Sequence, residues 1–181
     1  DGYLYVVHDG QTKVSKVNLS TKVVTQLMSG LNDASGLVVH NGLLCVTAGE
    51  NGIENQIHTV DVSSGVATKI VERRETEWYN YGADIVFKGE IMYILFSRGS
   101  SLYSLDVNGN NEVRMAGVHR YGDTDGAKSV AVLGRPKSFA LSSDKKSLYI
   151  LENHKIKKYS LTAQTLTLLA GSAMDNYTED T

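Results

Sequence analysis

The sequence is poor in the residues that mark several common protein classes. It has one cysteine, Cys45, so no internal disulfide forms and cysteine does not decide the redox compartment. Within Leu43-Leu44-Cys45-Val46 that thiol reads as a small buried hydrophobe. Proline occurs once, at Pro136, and tryptophan once, at Trp78. No apolar run reaches the roughly eighteen residues that a membrane-spanning helix needs. The formal charge of −2 excludes a global pull toward nucleic acid or anionic membrane. Helical periodicity never lasts beyond a turn or two. There is no Gly-x-Ser-x-Gly elbow, and no glycine-rich phosphate loop precedes a helix.

What is present points to strands. Seventeen glycines punctuate short apolar runs, tyrosine occurs 10 times, and hydrophobic residues make up 41%, enough for a packed core. The runs are rich in Val, Ile, Thr and Tyr, which favour the pleated, half-buried surface of a sheet. The expectation is an all-β chain.

The runs repeat. One landmark is Leu4-Tyr5-Val6-Val7, Leu44-Cys45-Val46-Thr47, Met92-Tyr93-Ile94-Leu95 and Leu148-Tyr149-Ile150-Leu151, at intervals that lengthen along the chain. A second is a turn: Val17-Asn18-Leu19-Ser20-Thr21, Val60-Asp61-Val62-Ser63-Ser64-Gly65, Leu105-Asp106-Val107-Asn108-Gly109 and Tyr159-Ser160-Leu161-Thr162, whose intervals lengthen in the same way. Asn, Asp, Ser and Gly at those tips suit tight hairpins. Each unit continues into an outer strand, a longer loop and a short apolar strand. Units of about 40 to 55 residues with four strands have the dimensions of β-propeller blades. The approximate units are 1–34, 35–82, 83–137 and 138–181. The innermost strand is expected to be buried on both faces. In the last unit Lys155, Lys157 and Ser147 are expected to face away while Ile156 and Leu148 pack.

The clearest unit runs from Ala116-Gly117 through Gly122-Asp123-Thr124-Asp125-Gly126-Ala127, Arg135-Pro136, Leu148-Tyr149-Ile150 and Asn153-His154-Lys155-Ile156-Lys157-Lys158 to Ala170-Gly171. These residues resemble an NHL repeat. That resemblance covers the stretch from Ala116 to Gly171, while the other units lack the Asp-Gly turn and the proline. It implies a propeller of four-stranded antiparallel blades. The strand count gives the expectation of about four blades here, as part of a larger ring, of the order of six blades, on a longer chain. The first unit is expected to lack its innermost strand.

Candidate chemistry is sparse. Asp106-Val107-Asn108-Gly109-Asn110-Asn111-Glu112 spaces oxygens like the start of a calcium loop but lacks its glycine and terminal glutamate, so an Asn-Gly turn explains it. Asp123-Thr124-Asp125-Gly126 reads as a turn in an interblade loop. The histidines, His8, His40, His58, His119 and His154, show no helical zinc spacing. No metal and no cofactor is expected. A carboxylate pair would require Asp33 and Asp84 to meet at the channel mouth. Lys145, Lys146, Lys155, Lys157 and Lys158 form the one basic concentration, read as a solvated face and not a nucleic-acid site. Glu77-Trp78-Tyr79-Asn80-Tyr81 is an aromatic loop, and Trp78, Tyr79 and Tyr81 are the candidate binding residues. Asn18-Leu19-Ser20 and Asn176-Tyr177-Thr178 are glycosylation acceptor patterns, which favour secreted or cell-surface exposure.

The reading is a non-enzymatic scaffold that binds a protein partner of an extracellular assembly, or a glycan, without inserting into membrane. The NHL resemblance also implies two alternatives. One is an enzyme with a metal-assisted site in the central channel, lactonase-like or amidating-lyase-like. The other is an intracellular propeller that binds RNA or protein.

Overall fold

The computed structural model describes residues 2–8, 13–31, 34, 36–50, 54–74, 83–97, 100–117 and 122–171. These residues form sixteen strands and no helix. They run β1 (Tyr3–Val7), β2 (Lys13–Asn18), β3 (Val24–Ser29), β4 (Leu37–His40), β5 (Leu43–Glu50), β6 (Glu54–Asp61), β7 (Ala67–Arg74) and β8 (Ala83–Lys88). Then follow β9 (Ile91–Phe96), β10 (Ser101–Asp106), β11 (Val113–Ala116), β12 (Gly126–Ala127), β13 (Ser138–Leu141), β14 (Ser147–Leu151), β15 (Lys155–Ser160) and β16 (Thr165–Gly171). Every pairing is antiparallel, and the strands make four sheets, or blades: β1-β2-β3, β4-β5-β6-β7, β8-β9-β10-β11 and β13-β14-β15-β16-β12. The expected four-stranded blade is met in the second and third sheets. The first has three strands, beginning at what is the second position elsewhere, and the fourth has five.

β4, β8 and β13 approach one another side by side, so they are the inner strands around a hub, and β1 lies beside β4. Three apolar clusters sit between successive blades. The first joins Val14 to Leu44, Val46 and Val60. The second joins Cys45, Ile57 and Val71 to Ile85, Met92, Ile94 and Phe96. The third joins Tyr93, Leu95 and Leu102 to Phe139, Leu148, Ile150 and Tyr159. Strand alternation makes this work: in β9, Met92, Ile94 and Phe96 face one neighbour while Tyr93 and Leu95 face the other. The core is therefore a series of interblade layers, and each buried Leu or Ile contributes about 1.5–3 kcal/mol.

In the second and third blades the most covered strand is the second, which corrects the expectation for the innermost. Met92 to Phe96 are all buried, whereas β4 and β13 are partly exposed along the hub. Inner strands face an opening, while β5 and β9 are sandwiched between sheets.

Each blade carries a β-bulge at the same place, where its last two long strands pair. The register slips between Val14 and Ser15 against β3, Ile57 and His58 against β7, Leu102 and Tyr103 against β11, and Ile156 and Lys157 against β16. A bulge bends a strand and increases its twist. The four bulges fall at equivalent positions, so each adds its bend and twist at the same place in its sheet.

Candidate functional site

Antiparallel order sends two kinds of connection to each rim. One rim holds the turns between first and second strands and between third and fourth. There Val107 donates its amide to the Glu90 carbonyl at 3.2 Å, and Leu161 to that of Lys146 at 2.9 Å. The opposite rim holds the described part of an interblade segment, Gly122 to Lys137.

That segment builds the most concentrated charge arrangement described. Gly117 donates its amide to the Ala131 carbonyl at 2.9 Å, and Thr124 and Val132 form a bridge. Gly126 and Ala127 then add as β12 to the outer edge of β16, opposite Leu166 and Thr165. The loop thus crosses its blade to the outer edge and returns to the hub at Ser138. Asp125 pins it, accepting the Leu168 amide at 2.6 Å. Lys157 pairs by charge with Asp123 and, at 3.0 Å, with Asp125 Oδ1; neither contact aligns as a hydrogen bond. Lys155 pairs with the other oxygen of Asp123. Glu152, buried, accepts the Gly134 amide at 2.8 Å. Burial pushes the Glu152 carboxyl above its ordinary value, aided by Asp125 and opposed by the Gly134 hydrogen bond and Lys157. Lys157 is 1% exposed in its side chain. It acts as an internal cation, neutralising carboxylates that fasten the loop to β15 and β16.

This corrects two expectations. Lys157 and Ser147 are buried and Ile156 is 40% exposed, the reverse of the facing expected. Lys155 and Lys157 do not belong to a solvated basic face, because Asp123 and Asp125 hold them. Leu148 packs as expected.

The other candidates also take structural duties. Asp84 spans the third and fourth blades at the hub. Its Oδ2 accepts the Ser138 hydroxyl at 2.7 Å and the Phe139 amide at 3.3 Å, and its Oδ1 the Ile85 amide at 3.0 Å. Its proposed partner Asp33 lies outside the described residues. Asp106 closes the Asn-Gly turn, accepting the Asn108 and Asn110 amides at 2.9 Å and the Asn111 side chain at 3.0 Å. Those bonds hold its carboxyl below the usual range, led by the Asn110 amide. His8 bonds Ser15 at 2.8 Å, His58 bonds Gln56 at 2.9 Å, and His40 stacks on Phe87 across the second and third blades, centroids 4.0 Å apart. Among the described residues, no group of three His, Cys, Asp or Glu side chains is placed to hold a metal. Cys45 is free and buried, and burial pushes its thiol up to about 11.

Trp78, Tyr79, Tyr81 and Asn176 lie outside the described residues. Asn18, the last residue of β2, is partly exposed, and its Oδ1 accepts the Ser20 and Thr21 amides of the following turn at 2.9 Å. The ion knot of Asp123, Asp125, Glu152, Lys155 and Lys157 is what sequence reasoning missed. The only signal was Asp and Lys falling at alternate positions, in two segments separated by the whole of β13 and β14.

No family model and no curated protein matches the sequence. Solved structures do match in shape. An auxiliary nutrient binding protein of Bacteroides thetaiotaomicron aligns over 94% of this chain and 44% of its own, at 20% identity and a TM-score of 0.75. A nidogen/laminin complex aligns over 95% and 62%, at 14% identity and 0.66. TolB of Acinetobacter baumannii aligns over 96% and 41%, at 17% identity and 0.61. These neighbours are β-propellers, and the likeness establishes the fold: four sheets of an open propeller arc. The chain spans between 41% and 62% of the length of these structures.

Proposed function

We propose that this chain is a non-enzymatic binding scaffold, an NHL-like propeller arc of a secreted or cell-surface protein. It presents its long-loop rim to a protein partner or a glycan. The observation that carries this reading is the described stretch of interblade loop from Gly122 to Lys137. It is clamped by a fifth strand and a buried ion knot, so this stretch holds its shape before any partner arrives. A loop ordered in advance loses little conformational entropy on binding. Of the carboxylate pair that a channel-centred enzyme would draw on, Asp84 is engaged in joining two blades, and Asp33 lies outside the described residues. Neighbours in shape include auxiliary nutrient binding proteins and a nidogen/laminin complex, which supports a binding role. The anchors assigned to this rim are Trp78, Tyr79 and Tyr81, with glycan on Asn18 and Asn176.

The test is a titration of the purified chain against a glycan array and a panel of extracellular matrix proteins. Saturable binding is expected, and replacing Trp78, Tyr79 and Tyr81 together by Ala is expected to weaken it at least about tenfold without changing the melting temperature. A metal bound at one per chain together with lactone hydrolysis would overturn the reading in favour of the enzyme alternative.

A further inference from the structure

Lys157 is placed to react as well as to balance charge. It is buried on β15, directly across from Leu168 of β16. Its Nζ lies 3.0 Å from Asp125 Oδ1, and the contact does not align as a hydrogen bond. Two groups held that close, off the hydrogen-bond direction, have the spacing of a reacting pair, about 3–3.5 Å. The other oxygen of the same carboxyl, Oδ2, accepts the Leu168 amide at 2.6 Å. That N–H draws electron density from Cγ and sits where negative charge would gather under attack by an amine. Nucleophile, electrophile and oxyanion donor thus meet at one point.

Glu152 adds a proton carrier. It is buried, its Oε1 accepts the Gly134 amide at 2.8 Å, and it interacts electrostatically with both Lys157 and Asp125. Burial raises its carboxyl above the ordinary value, so the acid form persists to higher pH than in water. A buried carboxyl that can give and take a proton beside a reacting pair is the arrangement of general acid–base catalysis. Asp123 is the competing carboxylate, but it is shared between Lys155 and Lys157. Two ammonium groups balance its charge, which leaves it the poorer electrophile.

We propose that Lys157 and Asp125 join in an intramolecular isopeptide bond, which ties the interblade loop covalently to the fourth blade. The ion pair is the reactant. Nζ gives up a proton and attacks Cγ, the Nζ–Cγ bond forms, and the Cγ–Oδ1 bond breaks. Glu152 takes a proton from nitrogen and returns one to Oδ1, which leaves as water carrying two protons that began on Nζ. One ammonium and one carboxylate become one neutral amide and one water, with no oxidant, reductant or further reactant. The Leu168 amide stays on Oδ2, now the carbonyl oxygen of the new bond. Two features favour the step over its reversal. Groups fixed in this way react as if at effective concentrations of up to about 10⁵–10⁸ M, and the amide removes a charge pair that is costly to keep out of water. The bond is independent of what the rim binds.

Mass spectrometry of the chain, made by cell-free synthesis and sampled over time, tests this. The intact mass is expected to fall by one water. After tryptic digestion, the peptide carrying Asp125 and the peptide carrying Lys157 are expected to leave as one branched species. Lys157→Arg keeps the positive charge but carries no nucleophilic amine, so its mass should stay that of its sequence. Glu152→Gln keeps an acceptor for Gly134 and cannot relay a proton, so the bond should form at least about a hundredfold more slowly. Melting curves of both variants check that each is folded. A folded wild-type chain that retains its full sequence mass after prolonged incubation would overturn the proposal. So would a branch through Asp123 or Lys155. Loss of water within Asp125-Gly126, as a succinimide that leaves Lys157 unlinked, gives the same mass and would overturn it too. Formation at the wild-type rate in Glu152→Gln would overturn the route through Glu152.

Discussion

Gly65 shows how tightly one blade is fitted to the next. It lies in the turn after β6 at φ +73°, and a Cβ there would fall 2.3 Å from the Leu27 carbonyl of the bulge in β3. Gly109 meets the Ile70 carbonyl of the next bulge at the same 2.3 Å. The bulge of one blade is thus the seat for the hairpin of the following one. Gly42 has a similar φ of +78° with nothing within 4 Å, so it separates backbone strain from collision. Gly42→Ala should cost about 1 kcal/mol, the strain term alone. Gly65→Ala should cost about 3 kcal/mol, because the neighbouring backbone must also move. Urea titrations of the two variants give the comparison. Glu152 offers a second residue-scale prediction through pH. Its folded carboxyl titrates above the ordinary 4.5, mainly through burial. The folded chain therefore holds that proton more tightly than the unfolded chain. The stability this confers is present at low pH and lost as pH rises through 4.5 and past the raised folded value. Glu152→Gln keeps an acceptor for the Gly134 amide and removes the charge. Its stability relative to wild type should therefore increase with rising pH across that window, and an advantage that stays flat from acid to neutral would refute the assignment.

Among the elements, β12 is the smallest and the most consequential for the rim. Two residues, Gly126 and Ala127, hold the interblade loop to β16, and the Asp125 carboxylate bonds the Leu168 amide beside the bulge. Asp125→Ala removes that acceptor and one partner of a buried lysine, a change that costs about 3–5 kcal/mol where the remaining charge has no other partner. Asp123 stays in place, so a smaller loss of about 2 kcal/mol is expected. The distinctive result is local: the Leu168 amide should exchange faster and protease should cut between Gly117 and Lys137, with the first blade unaffected. How legible these elements were follows from their physics. The second strands showed plainly as apolar tetrads; β5 and β9 are covered on two sides, and β1 and β14 carry the same pattern with one side open. Ala116-Gly117 and Ala170-Gly171 showed as a repeat, because a Cβ at either glycine would fall 2.0 Å from the carbonyl of Ser100 or His154. β12 was not legible, because two residues carry no periodicity. The facing of β15 was misread, because alternation marks two faces without saying which is inward. The counter-charges that let Lys157 lie inward sit upstream of β13, beyond any local pattern.

At the scale of the whole molecule, four blades form three interblade layers, which leaves one face at each end of the arc without a described neighbour. Leu4 is 53% exposed on the first blade, and Leu151, Ile156 and Leu168 are 44%, 40% and 46% exposed on the fourth. The repeat supplies an internal control. Tyr149 and Leu151 of β14 stand where Tyr93 and Leu95 stand in β9, yet the second pair is 5% and 0% exposed and the first 37% and 44%. Sequence pattern is the same at both sites, and only the presence of a following blade differs. Replacing Tyr93 and Leu95 by Lys would force two ammonium groups into an apolar layer without partners, at several kcal/mol each. That double variant should fail to fold. Replacing Tyr149 and Leu151 by Lys leaves both charges in water, so the melting temperature should shift by no more than about 2 °C. The same change breaks an exposed apolar surface of the kind that drives association. It should therefore lower the apparent mass seen by sedimentation at high concentration and reduce binding of a hydrophobic dye. Equal damage from the two double variants would mean that the fourth blade's outer face is already covered, and that the arc of four blades closes on itself.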